Sequence, residues 1–439
     1  MDRSPYTPGA GHRPPVLAGR EDILRAWRIG LNDVAASGRQ RAPDVVLTGP
    51  RGIGKTSTVL ALQDLRAEEG YEVVRLQATA GNAGLVDSLL RRAQSRADEG
   101  AGAWQRARRA FERIASINVT VGGVGAGFST HDPGSNRHRR ASPEDLADAL
   151  ASVAREVSKD RPGAGLLITV DEMQMAAPSD LTLLAGALQD LNTTHPDTAV
   201  MFAGCGLPNT FQVLARAGVT HPDRLFKFRE VPLLLERSAA LDAIIEPGRQ
   251  HEIVWEPAAA DAIVRASQGY PAHVQVFADA VWLQAQGPRL ITERDAVKGL
   301  AVAAKTLVTE SLGPRFDGLS GREREFLTGL AVAGGQVTTA DLAAILGRDI
   351  RSLSEYRGRL ITSGDVYVPR RGELALSVPA FGSYLQAQYE RSRRAGASST
   401  ISLEEMQSNF GALIAHRPEI PRPYCHDNTP DQDQRTLER

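Results

Sequence analysis

Cysteine is nearly missing from this chain: two residues in 439, Cys205 and Cys425. They lie far apart and outside any Cys-x-x-Cys or Cys/His spacing, which excludes a disulfide framework and a zinc cluster. Histidine is scattered, and aromatic residues make up only 5%. No apolar run approaches the roughly 18 residues of a membrane-spanning helix, and the first 20 residues are polar and proline-rich, without the apolar core of a signal peptide. Excess charge is missing as well: 51 basic residues face 52 acidic ones, a net charge of −1. No whole-chain basic field exists, so any nucleic-acid affinity must come from a local patch. Lysine is scarce against abundant arginine, alanine and glycine, the composition of a high-GC bacterial protein. The expectation is a soluble cytoplasmic protein with no membrane partner, long enough for about three domains.

What the chain does contain is a phosphate-binding motif. Gly49-Pro50-Arg51-Gly52-Ile53-Gly54-Lys55-Thr56 satisfies G-x-x-x-x-G-K-[ST] without mismatch. Glycines let backbone wrap a phosphate at φ values that a side chain forbids. Amides and the following helix N-terminus, Ser57 included, offer positive dipole ends to the anion. Lys55 can reach the β- and γ-phosphates, and the Thr56 hydroxyl can ligate Mg²⁺. The frame fits: Val45 to Thr48 is a short β-branched run, and Thr56 to Leu65 carries Val59, Leu60, Leu62 and Leu65 at helical spacing.

A second motif complements the first. Leu166-Leu167-Ile168-Thr169-Val170 reads as a buried strand ending in Asp171-Glu172. Ligands of open α/β sheets bind at the carboxyl ends of the strands. Asp171 is therefore the candidate metal carboxylate, and Glu172 the candidate base that polarises a water for attack on the γ-phosphate.

Strand and helix patterns alternate to about residue 236, which predicts a parallel sheet flanked by helices. Helices are expected over 21–35, 82–117 (broken near 100–102) and from Ser142 onward. Strands are expected at 72–76, 199–203 and 226–231, and a β-hairpin at 116–129. From about Ser238 the strand signal stops and four amphipathic helices suggest a lid. Beyond Pro314, helices at 322–333, 339–346 and 350–363 precede a hairpin (366–368 and 374–378), the winged-helix order. The expected division is an extended segment (1–20), a P-loop core (21–236), a helical lid (237–312), a winged-helix domain (313–392) and a disordered tail (393–439) with a short helix at 403–414.

With these residues in place, the chain resembles bacterial AAA+ ATPases related to origin-recognition initiators and to signal-transduction (STAND) NTPases. Val16 and Leu17, in Pro15-Val16-Leu17-Ala18-Gly19-Arg20-Glu21, are similar to the segment that cups adenine in that group. Gln174 completes a D-E-x-Q run. Arg224, in Arg224-Leu225-Phe226, resembles the stretch where related ATPases place an arginine finger. Tyr270 and Pro271 resemble the lid motif that contacts nucleotide. The resemblance implies ATP and Mg²⁺ as cofactors and a nucleotide-dependent homo-oligomer. The chain departs from that pattern at Cys205, where the group usually has Asn, Ser or Thr (the nearest amide in this chain is Asn209), and near Gly269, where His273 sits about where the group has an arginine. Both departures favour a slow switch over continuous turnover.

The winged-helix segment carries Arg351, Arg357, Arg359, Arg370 and Arg371, interleaved with Asp349, Glu355, Asp365 and Glu373. Arginines on phosphates would give salt-sensitive binding of double-stranded DNA, whereas the same fold also serves as a protein-interaction module. Three functions are therefore open: an ATPase switch driving a winged-helix output, a DNA-binding initiator or transcription regulator with a mainly structural ATP site, and a protein-recruiting adaptor.

Overall fold

Runs of β-branched and aliphatic residues build the inner strands of the sheet in this protein. A computed structural model describes residues 4–9, 11–28, 44–79, 84–100, 102–118, 141–285, 289–395 and 401–416. The chain divides into two compact units, Met1–Ala303 and Ala304–Arg439.

The first unit carries β1 (Asp44–Thr48), β2 (Glu72–Gln77), β3 (Leu166–Asp171), β4 (Val200–Gly206) and β5 (Phe226–Glu230), all parallel, in the spatial order β2-β3-β4-β1-β5. Every residue of β3 and β4 is buried, as expected for strands covered on both sides. Alternation sorts their side chains. Leu166, Ile168, Val170 and Phe202 join one core, while Leu167, Met201 and Ala203 join another with Trp27 and Leu62. Each aliphatic or aromatic side chain so removed from water contributes about 1.5–3 kcal/mol.

Helices α1 (residues 21–28), α2 (Lys55–Glu68), α3 (Leu85–Asp98), α4 (Gly102–Asn118), α5 (Pro143–Asp160) and α6 (Pro178–Thr194) flank this sheet. The α5 start follows its sequence signature: Ser142 accepts from the Asp145 amide, Asp145 reaches back, and proline occupies the first turn. Residues 116–118, expected to open a hairpin, are instead the last residues of α4; the rest of that hairpin lies outside the described residues. The extension of α1 expected to residue 35 also lies outside them. Short helices α7 (Thr210–Arg216) and α8 (Pro222–Leu225) connect β4 to β5.

After β5 come α9 (Arg237–Gln250), α10 (Pro257–Ser267), α11 (Pro271–Gln284) and α12 (Glu293–Leu307). This region is not all-helical as expected. Val254–Trp255 (β6) and Leu290–Ile291 (β7) pair in parallel, and two-residue strands are too short to show any period. Residues 6 and 7 lie against this region: Tyr6 is buried, donates to the Ile244 carbonyl at 2.7 Å and packs edge-on against Trp255, and the Thr7 amide donates to Gln275.

The second unit contains α13 (Gly313–Asp317), α14 (Gly321–Val332), β8 (Gln336–Thr338), α15 (Thr339–Ile345), a 3₁₀ turn at Ile350–Leu353, α16 (Ser354–Ser363), β9 (Val366–Tyr367), β10 (Glu373–Leu376), α17 (Pro379–Arg394) and α18 (Leu403–His416). Its antiparallel sheet has the order β8-β10-β9. Sequence reading gave no β8 or α17, and took 350–363 as one helix. The short helix expected at 403–414 within the tail is present as α18. Helix α18 packs through buried Met406 and Phe410, Asn409 donates to the Ile345 carbonyl at 3.0 Å, and Tyr389 donates to the Ile401 carbonyl at 3.0 Å. Enough apolar surface is covered to order a segment whose overall composition reads as polar. Residues 417–439 lie outside the described residues. Among the described residues no helix is long and apolar enough to cross a membrane.

Candidate functional site

The sheet order decides where chemistry can occur. Strand β1 lies between β4 and β5, and β3 lies beyond β4. The loops leaving β1, β3 and β4 therefore meet at one carboxyl edge, where α/β sheets hold ligands.

Residues 49–54 link β1 to α2. Gly49, Gly52 and Gly54 have φ of 152°, 73° and 89°, and Gly54 is the N-cap of α2 without any side chain capping that end. Gly49, Pro50 and Ile53 are buried, whereas Arg51 and Gly52 are exposed. Lys55 is buried and its Nζ donates to the Pro50 carbonyl at 2.5 Å. Burial pulls the Lys55 pKa down, opposed by the nearby charges of Cys205, Glu172 and Asp171.

Asp171 ends β3 and collects three donors. The Thr56 hydroxyl donates to Oδ2 at 2.9 Å; the Glu172 amide and the Cys205 thiol each donate to Oδ1 at 2.9 Å. Cys205, on β4, is fully buried, and burial followed by the charge of Asp171 pushes its thiol pKa well up. Glu172 adopts φ 54°, ψ 42°, a left-handed conformation that costs a non-glycine residue about 1–2 kcal/mol. Gln174 donates to the Glu172 carboxylate and accepts from the Leu207 amide at 3.0 Å.

The 269–272 turn also reaches this loop. The Tyr270 hydroxyl donates to the Arg51 carbonyl at 2.6 Å, and the Ala272 amide donates to the Gly52 carbonyl at 3.1 Å. Pro271 opens α11 between them. A Cβ at Gly52 would lie 2.2 Å from the Tyr270 hydroxyl oxygen, so position 52 requires glycine for space as well as for its φ. His273 is buried between the rings of Tyr270 and Phe277, with centroids 4.7 and 5.5 Å away.

Val16 and Leu17 are half-buried in the segment leading to Arg20. Sequence reading gave Arg20 no role of its own. Its guanidinium is buried and donates to the carbonyls of Ile53 (2.7 Å), Gly19 (2.7 Å) and Pro232 (3.3 Å). It ties the phosphate loop to the segments before β1 and after β5. Ser57 lies in the first turn of α2, its hydroxyl 3.5 Å from the His12 carbonyl.

One candidate is not brought in. Arg224 is exposed on α8, just before Phe226, which pairs with Asp44 at the start of β1. The phosphate loop follows Thr48, paired with Glu230 at the other end. About 13 Å of strand separates the two ends, so Arg224 does not face its own chain's phosphate loop.

The residues fit a triphosphate with its metal ion. A glycine-bent loop leads into a helix end that no side chain caps, a buried lysine rests on a carbonyl of that loop, and a hydroxyl and a carboxylate converge at 2.9 Å. Fold and site together define a P-loop nucleotide-binding protein of the α/β class. Residues 16–201 match the AAA ATPase domain, and residues 310–385 match a domain of unknown function (DUF8462). Residues 16–201 therefore carry an AAA ATPase domain. A search of curated proteins finds no match.

Solved structures agree on the fold. The Aeropyrum pernix ORC2 protein, determined as ADPNP–ADP complexes, has TM-score 0.51 at 17% identity, covering 93% of this chain and 98% of its own. A Walker-type ATPase of Pyrococcus abyssi has TM-score 0.53 at 15% identity, covering 85% and 97%. The Thermotoga maritima RuvB Holliday junction branch migration motor is a looser likeness, with TM-score 0.43 at 18% identity, covering 86% and 98%.

Proposed function

We propose that this ATPase is a slow nucleotide-operated switch whose output is the second unit, read as a winged-helix module. The observation that carries this reading is the double hydrogen bond of the 270–272 turn to the phosphate loop, at Arg51 and Gly52. Whatever the loop binds is thereby coupled to α9–α11, which follow it in the chain.

In this reading Gly49 to Ser57 cradle the phosphates and Lys55 neutralises the β- and γ-oxygens. Thr56 and Asp171 hold Mg²⁺, which supplies positive charge against the phosphate oxygens. Val16 and Leu17 lie against adenine, and Tyr270 and Pro271 close the site from above. Water attacks the γ-phosphorus, its proton passes to the Glu172 carboxylate, and the bond to the bridging oxygen breaks with its electron pair leaving on ADP. Cys205, a weak donor already engaged by Asp171, occupies the place from which related ATPases sense the γ-phosphate. Slow turnover follows from that occupancy. Arg224 would act only on the site of a second copy.

A second reading, duplex DNA binding by the second unit, draws on its helix–strand–helix–helix–strand–strand order and on the exposed Arg351, Arg370 and Arg371. Arg359 contributes less, because Glu323 (3.1 Å) and Glu355 (3.4 Å) neutralise it.

Binding and turnover of Mg-ATP, measured with and without duplex DNA, test both. Lys55→Ala is expected to lose nucleotide affinity, and Glu172→Gln to bind ATP with turnover reduced about 10²–10⁴-fold. Parental turnover by Glu172→Gln would remove the assigned base. Retention of duplex DNA that falls with salt, and is lost when Arg351, Arg370 and Arg371 are replaced by Ala, would favour the second reading.

A further inference from the structure

Gln174 stands in the D-E-x-Q run without a part in the chemistry above, yet both ends of its amide are engaged. The Leu207 backbone N–H can only donate, so at 3.0 Å it fixes Oε1 toward itself. Nε2 is thereby turned to the Glu172 carboxylate, to which it donates. We propose that Gln174 is the positioning residue for Glu172, set in its orientation by the loop after β4; this rests on reading Glu172 as the base.

Three further observations support it. Glycine keeps the space beside the amide open, since a Cβ at Gly206 would come 2.3 Å from Thr210 Oγ1 and 2.7 Å from Gln174 Oε1. The backbone between the two side chains is fixed by the 3₁₀ turn Met173–Met175, with the Met175 amide donating to the Glu172 carbonyl at 2.8 Å. The Glu172 carboxylate is held near the phosphate loop, where Lys55 feels its charge. One strand tip thus orients both acids: Asp171 through the Cys205 thiol, and Glu172 through the Leu207 amide and Gln174. A donor on one carboxylate oxygen leaves the other for the proton of water.

Two substitutions in the full-length chain separate positioning from simple loop support. Gln174→Glu keeps an acceptor for the Leu207 amide but loses the donor to Glu172 and sets a like charge beside it. Gln174→Met keeps the length and loses both bonds. A residue that only held the loop would leave Gln174→Glu close to the parent. A positioning residue loses kcat in both, by about tenfold or more, with the KM for ATP changed less than about threefold.

A second readout needs no nucleotide: the thermal unfolding of Glu172→Ala, Gln174→Met and the double variant. The two effects are expected not to add, because removing either partner already breaks the bond. Additive effects, or parental kcat in Gln174→Glu, overturn the proposal. No turnover in the parent protein would instead remove the reading beneath it, and a non-additive cycle would then reduce Gln174 to a structural tie.

Discussion

The hydroxyl of Tyr270 lies 2.6 Å from the carbonyl oxygen of Arg51, so a side chain far along the sequence donates a hydrogen bond into the bend of the phosphate loop. Because that contact fills the space above Gly52, the loop and the 270–272 turn have been matched in shape as well as in hydrogen bonding.

Disturbing this match has graded consequences. Tyr270→Phe keeps the ring and loses one hydrogen bond, at a cost of about 1 kcal/mol. Gly52→Ala forces a methyl into the Tyr270 hydroxyl and a side chain onto φ +73°, so a larger loss is expected, together with weaker stabilisation by added Mg-ATP. Thermal unfolding with and without Mg-ATP measures both. Equal shifts in the two variants would show that the space above Gly52 is not confined.

Arg20 is expected to matter for folding rather than for chemistry. Arg20→Met leaves three carbonyls without their donor in a buried place, a loss of about 2–4 kcal/mol. Arg20→Lys recovers little of it, because one ammonium cannot span acceptors that a planar guanidinium reaches. Denaturant unfolding midpoints would check this. A midpoint for Arg20→Met within error of the parent would refute it.

The Cys205 thiol has a pH signature. Its pKa is raised by folding, so the stability associated with its neutral form is complete below the unfolded value, near pH 9. That stability is lost as pH climbs toward the raised folded value, with a limiting slope of about 1.4 kcal/mol per pH unit. Cys205→Ser keeps a donor to Asp171 and removes the titration. The parent should therefore lose more stability than Cys205→Ser between pH 8 and about pH 10. Parallel profiles would place the thiol outside the titrating set.

Helix α18 supplies a test of its own packing. Met406 is fully buried, and Met406→Ala in the full-length chain should cost about 2–5 kcal/mol. A cost below about 0.5 kcal/mol, the usual range for surface positions, would mean that α18 does not pack as described.

The phosphate loop, the Asp171 strand and the capped start of α5 were legible because each couples a pattern to a local physical requirement. Glycine at fixed offsets, a buried run ending in an acid, and serine with proline and aspartate at a helix start need no knowledge of the rest of the chain. Arg20 was not legible, since arginine is ordinarily exposed and nothing local distinguishes one that three carbonyls will enclose. Gln174 could be noticed only as part of a run; its partner Leu207 is brought near by strand pairing. Strands β6, β7 and β8, with two or three residues each, are too short to carry a period. Helix α17 was missed although Pro379 at its first turn is a start signal. Arg224 was visible as a local likeness; the pairing of β5 with β1 sets it away from its own chain's phosphate loop, as a residue serving a second copy would be.

That pairing also bears on the order in which the protein can be made. Strand β1 leaves the ribosome before both of its neighbours, β4 and β5, which are synthesised more than a hundred residues later. Until about residue 230 has emerged, the phosphate loop has a helix after it but no complete sheet beneath it. A polypeptide cut at residue 201, where the match to the ATPase domain ends, would stop two residues into β4 and leave β1 with both edges bare. Such a fragment should expose strand edges and aggregate, so the smallest autonomous nucleotide-binding piece of this chain must extend at least through β5.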